Sequence, residues 1–227
     1  MRYAFFCAAA CILVMSQAAE ANSLVVGGRT NVNLDFDTLE SAASLTLSST
    51  AGTVAADPSY AVAFGINPRD GSLPTTFEYD PATFPALGSF AGTIEHTGTV
   101  SFNSDTVTVG DFTIGFDAAR AGGFDGAASG FYVESTTGIP AILFDFEVDT
   151  MNPPIVLDES LTVAGNLLVS NEFGTFLLDQ GLSSANLAGA PVGSALIEAT
   201  AIPEPSSVAL GSAGILGMLA VVRSKRK

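Results

Sequence analysis

The chain holds a single histidine, His96, with Ser101, Ser104 and Asp105 close behind it. A serine nucleophile activated by an imidazole that a carboxylate orients would have to use this ring. No G-x-S-x-G elbow accompanies it, and His96-Thr97-Gly98-Thr99 has turn chemistry, so His96 reads as a plain polar turn residue. With no cysteine beside it, it makes a poor zinc site. The second grouping is the run FDFEVD at 144–149. Alternate residues of a strand share one face about 7 Å apart, which aligns Asp145, Glu147 and Asp149 opposite Phe144, Phe146 and Val148. Such a row is either a solvated strand face or a set of hard oxygen ligands suited to calcium. No D-x-D-x-D-G loop supports the calcium reading. Paired carboxylates could also hydrolyse glycosides, but the chain has no tryptophan to stack on a sugar. Tyr79 and Phe84, in a proline-rich stretch, are the aromatics freest to be exposed. Phe36, Phe64, Phe112, Phe116 and Phe146 alternate with polar or small neighbours and read as core.

The elements that must position these residues are strands. In TNVNLDFD, Val32, Leu34 and Phe36 point one way and Asn31, Asn33, Asp35 and Asp37 the other. SLTLS and YAVAFGI repeat the period, the latter with Tyr60, Val62, Phe64 and Ile66 on one face. TVSF, TVTV, FTIGF, GFYVE and ILFDFEVD follow between Gly, Asn and Asp punctuation. Period-two runs of this kind predict half-buried antiparallel strands. HTGT at 96–99 predicts a short hairpin between TIE and VSF. NPRDGS at 67–72 and GGFDGAASG at 122–130 predict longer loops, and 68–88, with four prolines, a surface excursion. One stretch changes period: Phe173, Phe176 and Leu177 are spaced for a helix, with Ser170 as N-cap and Gly181 as stop. Gly174 weakens its middle by about 1 kcal/mol. The expected fold is all-β: one antiparallel β-sandwich or jelly-roll-like domain with one short late helix.

The ends carry addresses. Arg2 precedes an apolar run from Tyr3 to Met15, closed by Ala19-Glu20-Ala21. Small residues at Ala19 and Ala21 fit signal-peptidase cleavage after Ala21, making 1–21 a secretory signal. The run is short of the ~20 residues of a retained membrane helix. Both cysteines, Cys7 and Cys11, fall inside it, so the exported domain has no disulfide or thiol chemistry and must stand on its core. Between residues 22 and 201, three arginines (Arg29, Arg69, Arg120) face 21 acidic residues, a net charge of −18. That surface repels nucleic acid and anionic lipid and attracts cations and basic partners.

The tail, 202–227, combines Pro203-Glu204-Pro205, an uncharged run over 206–222, and Arg223, Lys225, Arg226 and Lys227. As a helix the run reaches about 26 Å, close to a bilayer core, and the basic end holds it on the cytoplasmic side. The expectation is a C-terminal single transmembrane helix with the domain outside. Pro-Glu-Pro excludes regular helix and strand and keeps the backbone extended, as a stiff linker does or as a protease grips.

These three parts in this order closely resemble the PEP-CTERM sorting signal. The resemblance covers only this tail; Ile202 stands where the family more often has Val. It implies an exosortase substrate, cut near the motif, in a Gram-negative-type bacterium that makes exopolysaccharide, with the product released or anchored at the surface. It carries Pro203, Glu204 and Pro205 over as the recognition element and Arg223 to Lys227 as the stop-transfer cluster. For 22–201 it implies nothing. The expectation there is a non-enzymatic envelope or matrix domain, the alternative a carbohydrate-active module, calcium-assisted or using two carboxylates.

Overall fold

The computed structural model describes residues 22–204. Ala19 and Ala21, Pro205, the 206–222 span and the cluster Arg223, Lys225, Arg226 and Lys227 lie outside the described residues. Within them, no helix is long and apolar enough to cross a membrane. The elements in chain order are β1 Ser23–Leu34, α1 Phe36–Ala43, β2 Leu47–Ala51, β3 Thr53–Val54, β4 Val62–Gly65, β5 Glu78–Tyr79, β6 Phe90–Ala91, β7 Ile94–Glu95, β8 Thr99–Phe102, β9 Val107–Phe116, β10 Phe131–Gly138, β11 Ala141–Val148, β12 Ile155–Leu157, β13 Ser160–Val169, α2 Asn171–Asp179 and β14 Pro191–Pro203.

The antiparallel reading holds, but not the division into two sheets. All strands belong to one sheet with the order β2-β8-β9-β10-β11-β13-β14-β1-β4-β3. Its two ends nearly meet. β2 and β3 are successive parts of one segment, the first paired with β8 and the second with β4. Gly52 makes the bend between them at φ +70°, where a Cβ would come 2.7 Å from the Gly98 backbone. A bridge between Ile66 and His96 ties β4 to the facing strand at the same seam. The sheet therefore curls around a single core of Leu, Ile, Val and Phe side chains. Period-two patterning says which side chains face inward; it does not say whether the inward faces belong to two sheets or to one that closes.

The hairpin expected at HTGT does not form. Ile94 and Glu95 pair with Ile114 and Thr113, and Thr99 to Phe102 continue along the same strand β9. Residues 94–102 are thus one interrupted strand. The interruption is a bulge: Gly98 N–H donates to Asp111 Oδ1 at 3.1 Å, and Asp111 N–H donates back to Gly98 O at 2.8 Å. The reversal comes instead at 103–106, where Asn103, Ser104 and Asp105 all have positive φ.

The first strand is shorter than its alternation predicts. It stops at Leu34, and Asp35 caps α1, accepting from Thr38 N–H at 2.9 Å and Thr38 Oγ1 at 2.7 Å. These bonds hold the Asp35 carboxyl below the usual range. An N-cap Asp with Asp37 in the first turn was the available signal.

The late helix forms as predicted. Ser170 Oγ accepts from Phe173 N–H at 3.0 Å, and Gly181 follows the C-cap at φ +67°. Phe173 and Leu177 are buried on its inner face. Gly174 is there for room: a Cβ would lie 2.4 Å from Asn186 Oδ1 and 2.9 Å from Ala188 N. Asn186 Oδ1 already accepts from Ala188 N–H at 3.0 Å, so neither can yield freely. Gly174→Ala gains about 1 kcal/mol of helix propensity but overpacks by ~1–3 kcal/mol. We expect a net loss of about 1 kcal/mol in urea unfolding; a variant more stable than wild type would contradict this packing.

Candidate functional site

His96 is not a turn residue. It occupies the interrupted strand between β7 and β8, with its ring inside the curled sheet and 2% of its surface exposed. Nδ1 lies 3.0 Å from Phe112 O and Nε2 2.8 Å from Thr30 Oγ1. A carbonyl only accepts, so Nδ1 carries the proton and the Thr30 hydroxyl donates to Nε2. This neutral imidazole ties β1 to β9 across the seam. Burial pushes its pKa down to about 4, opposed by the Phe112 carbonyl and the charge of Glu95. The catalytic partners do not assemble. Ser101 Oγ pairs with Thr108 Oγ1 at 2.9 Å, and Asp105 accepts from Ser49 Oγ at 3.0 Å.

The three calcium candidates are engaged separately. Asp145 is 1% exposed, not solvated. Arg120, from the 117–130 loop, meets it with both edges of a fork: Nε to Oδ1 at 2.7 Å and Nη2 to Oδ2 at 2.8 Å. The same guanidinium donates to Glu172, in the first turn of α2, through Nη1 to Oε1 at 2.7 Å and Nη2 to Oε2 at 3.0 Å. It also lies over the Tyr132 ring, 5.9 Å from its centre. Hydrogen bonds from Glu172 and then Asp145 raise the Arg120 pKa, and the Arg120 hydrogen bond lowers that of Glu172. Glu147 instead accepts from Asn166 Nδ2 at 2.9 Å. Asp149, past the strand end, caps the next turn by accepting from Met151 N–H at 2.8 Å and Asn152 Nδ2 at 2.7 Å. Among the described residues no three metal-ligating side chains converge. Alternation put the carboxylates on one face; the 117–130 loop, folding over that face, separated their fates. Arg120 was the missed partner, and no pattern in sequence links it to Asp145 or Glu172.

Of the two aromatics expected outside, Tyr79 is buried and Phe84 half-buried against the core. Tyr79 has no exposed surface, and its hydroxyl donates to Leu157 O at 2.6 Å. Phe84 stacks edge-on to Tyr79 at 5.9 Å and to Phe90 at 5.4 Å, and Phe90 meets Phe116 at 4.9 Å and Phe131 at 5.1 Å. The proline-rich stretch is therefore a flap that lays its rings against the sheet. Phe84, Phe131 and His96 also line a cavity of about 110 Å³ whose walls are apolar.

The run Pro203-Glu204-Pro205 begins inside the fold. β14 runs through Ile202 to Pro203, opposite Leu24 and Ser23, and Glu204 N–H donates to Asn22 O at 2.8 Å. The expectation that Pro203 stands clear of any strand is thus corrected. Successive N–H groups of a strand point to opposite sides. Ala201 donates to Glu159 on the β13 side, so a residue at 203 would donate that way too, past the sheet's end, and proline loses nothing there.

No protein-family model matches the chain, and no curated protein matches it. Among solved structures, the chain is similar to the C-terminal domain of HtaA from Corynebacterium glutamicum. The TM-score is 0.47 and the identity 11%, over 79% of this chain and 99% of that one.

Proposed function

We propose that this is an exported, non-enzymatic bacterial protein of the cell envelope or extracellular matrix, processed by a signal peptidase and then by an exosortase-type enzyme. Before the second cut the 206–222 run holds it in the membrane of a Gram-negative-type cell. Afterwards it is associated with exopolysaccharide or the envelope, where its −18 domain meets cations and basic groups. One observation carries this reading. β1 begins at Ser23 and β14 ends at Pro203, and the two residues are paired, so the sheet reaches from beside the expected signal-peptidase site to the first residue of Pro203-Glu204-Pro205. Less favours the carbohydrate-active alternative: Tyr79 is buried, Phe84 is half-buried against it, and Asp145 is taken by Arg120. Intact mass of the protein recovered from the native envelope and medium tests the reading. We expect a chain starting at Asn22 and lacking the basic end. A protein still ending at Lys227 in the membrane makes the tail a plain anchor and removes the exosortase from the account.

A further inference from the structure

The curled sheet leaves room at its centre that its side chains do not fill. The cavity there measures about 110 Å³, whereas protein interiors pack closely and hold few voids larger than a water molecule. It is drawn out in one direction. Thr30, Val32 and Leu34 of β1 line it in succession, as do Phe144, Phe146 and Val148 of β11. Four residue steps along a strand span about 13 Å, so a volume of this size is a narrow tube parallel to the strands.

Water has nothing to hold it there. A buried water needs about 10–15 Å³ and two to four polar partners, and the second condition fails. The polar side chains in the wall are Thr30 and His96, and all the others are apolar. The Thr30 hydroxyl gives its proton to His96 Nε2 at 2.8 Å, and Nδ1 gives its own to Phe112 O at 3.0 Å. No donor is left over for the cavity. An empty tube costs its walls the dispersion contacts that an occupant would supply. The tube meets the surface at the flap, where Phe84 and Pro85 both line it, Phe84 half-buried and Pro85 exposed. They stand on a loop closed at its neck by Asp80 N–H to Ser89 O at 2.7 Å. Within the loop, Phe84 N–H donates to Asp80 O at 3.0 Å and Ala86 N–H to Thr83 O at 2.9 Å. A loop bonded to itself in this way swings without opening the sheet.

We propose that the curled sheet binds a single hydrocarbon chain, that of an uncharged amphiphile such as a fatty alcohol, which enters beneath the 80–89 loop. The tube admits one chain and excludes a fused-ring body. The chain restores the missing dispersion contacts along the walls and leaves its head group at the mouth. A carboxylate head is disfavoured there, because residues 22–201, with three arginines against 21 acidic residues, repel it. The inference stands on the cavity and its lining, and it is independent of how the tail is processed.

The test is the thermal midpoint of the full chain as decanol is added. The protein is held in digitonin, a detergent whose rigid rings are too broad for the tube. A ligand that binds the folded state raises the midpoint as its concentration rises. We expect that rise with decanol, and binding at least tenfold weaker with decanoate. Ala195→Leu on β14 and Val62→Phe on β4 each add carbon atoms at the cavity wall. Either variant that still melts cooperatively should bind decanol at least tenfold more weakly than wild type. No shift with decanol in wild type makes the cavity a packing void only and overturns the inference. Undiminished binding in a folded, filled variant places decanol elsewhere and overturns the site. Decanoate that binds as tightly as decanol overturns the uncharged head group.

Discussion

Arg120→Met is expected to lower the stability of the domain by about 3–5 kcal/mol, the range for breaking one side of a buried ion pair. Asp145 is 1% exposed and the Arg120 side chain 13%, so solvent cannot replace the lost guanidinium. The carboxylate would keep its burial and lose both of its short charged hydrogen bonds. Glu172 adds little to the figure, because at 44% exposure it is screened by water. For a domain of this length the loss corresponds to a fall of roughly 10 °C or more in thermal midpoint. Arg120→Met with Asp145→Leu should recover most of it, because the deficit lies in a stranded charge and not in the shape of the site. Urea unfolding of the two variants and of Asp145→Leu alone closes the cycle. A loss under about 1 kcal/mol for Arg120→Met would mean that water reaches Asp145. The 117–130 loop should also lose hydrogen-exchange protection, since Arg120 is its charged tie to β11 and α2.

The second large effect is acid sensitivity centred on His96. An unfolded imidazole titrates near its ordinary value of 6.5, and the buried ring at about 4. Between these values the unfolded chain binds more protons than the folded one, so stability falls as the pH drops. The contribution is fully present above about 6.5, declines through the window, and levels off below about 4. A difference of this size amounts to about 3 kcal/mol. The carboxylates with lowered pKa, Asp35, Asp149 and Glu172, act with the same sign at lower pH, since their ordinary values are 3.8 to 4.5. The histidine therefore owns the upper part of the acid limb. His96→Leu with Thr30→Val removes donor and acceptor together. The Phe112 carbonyl keeps the His96 main-chain N–H at 2.9 Å. Unfolding free energies between pH 7 and 4.5 should then be nearly flat for the double variant and slope for wild type. Equal slopes would show that the imidazole is not the group that senses acid.

The ring owes this role to the bulge at Gly98. A hairpin at HTGT would have left His96 in solvent; the continuous run of 94–102 along β9 turns it inward. The same strand-level pattern that marked Val32, Leu34, Phe64 and Phe112 as inward-facing was right about them, because alternation depends only on the pleat. It failed for Tyr79, whose two-residue strand β5 is too short to show a period. It failed for Asp145 in another way: the face was correctly assigned, but a loop distant in sequence covers it.

Local chemistry was legible wherever the cause was local. The helix at 171–179 announced itself by its cap and spacing, the strands by alternation, and the acidic character of 22–201 by count. The reading of the tail rests on three parts in linear order along the chain, and from Pro205 onward they lie outside the described residues. What only the tertiary structure decided depends on which residues meet across long separations. The closure of one sheet at the Gly52 bend, the pairing of Arg120 with Asp145 and Glu172, and the hydrogen bond from Glu204 to Asn22 are all of this kind. A contact between residues far apart is set by the register and curl of the whole sheet, a property that no single segment encodes.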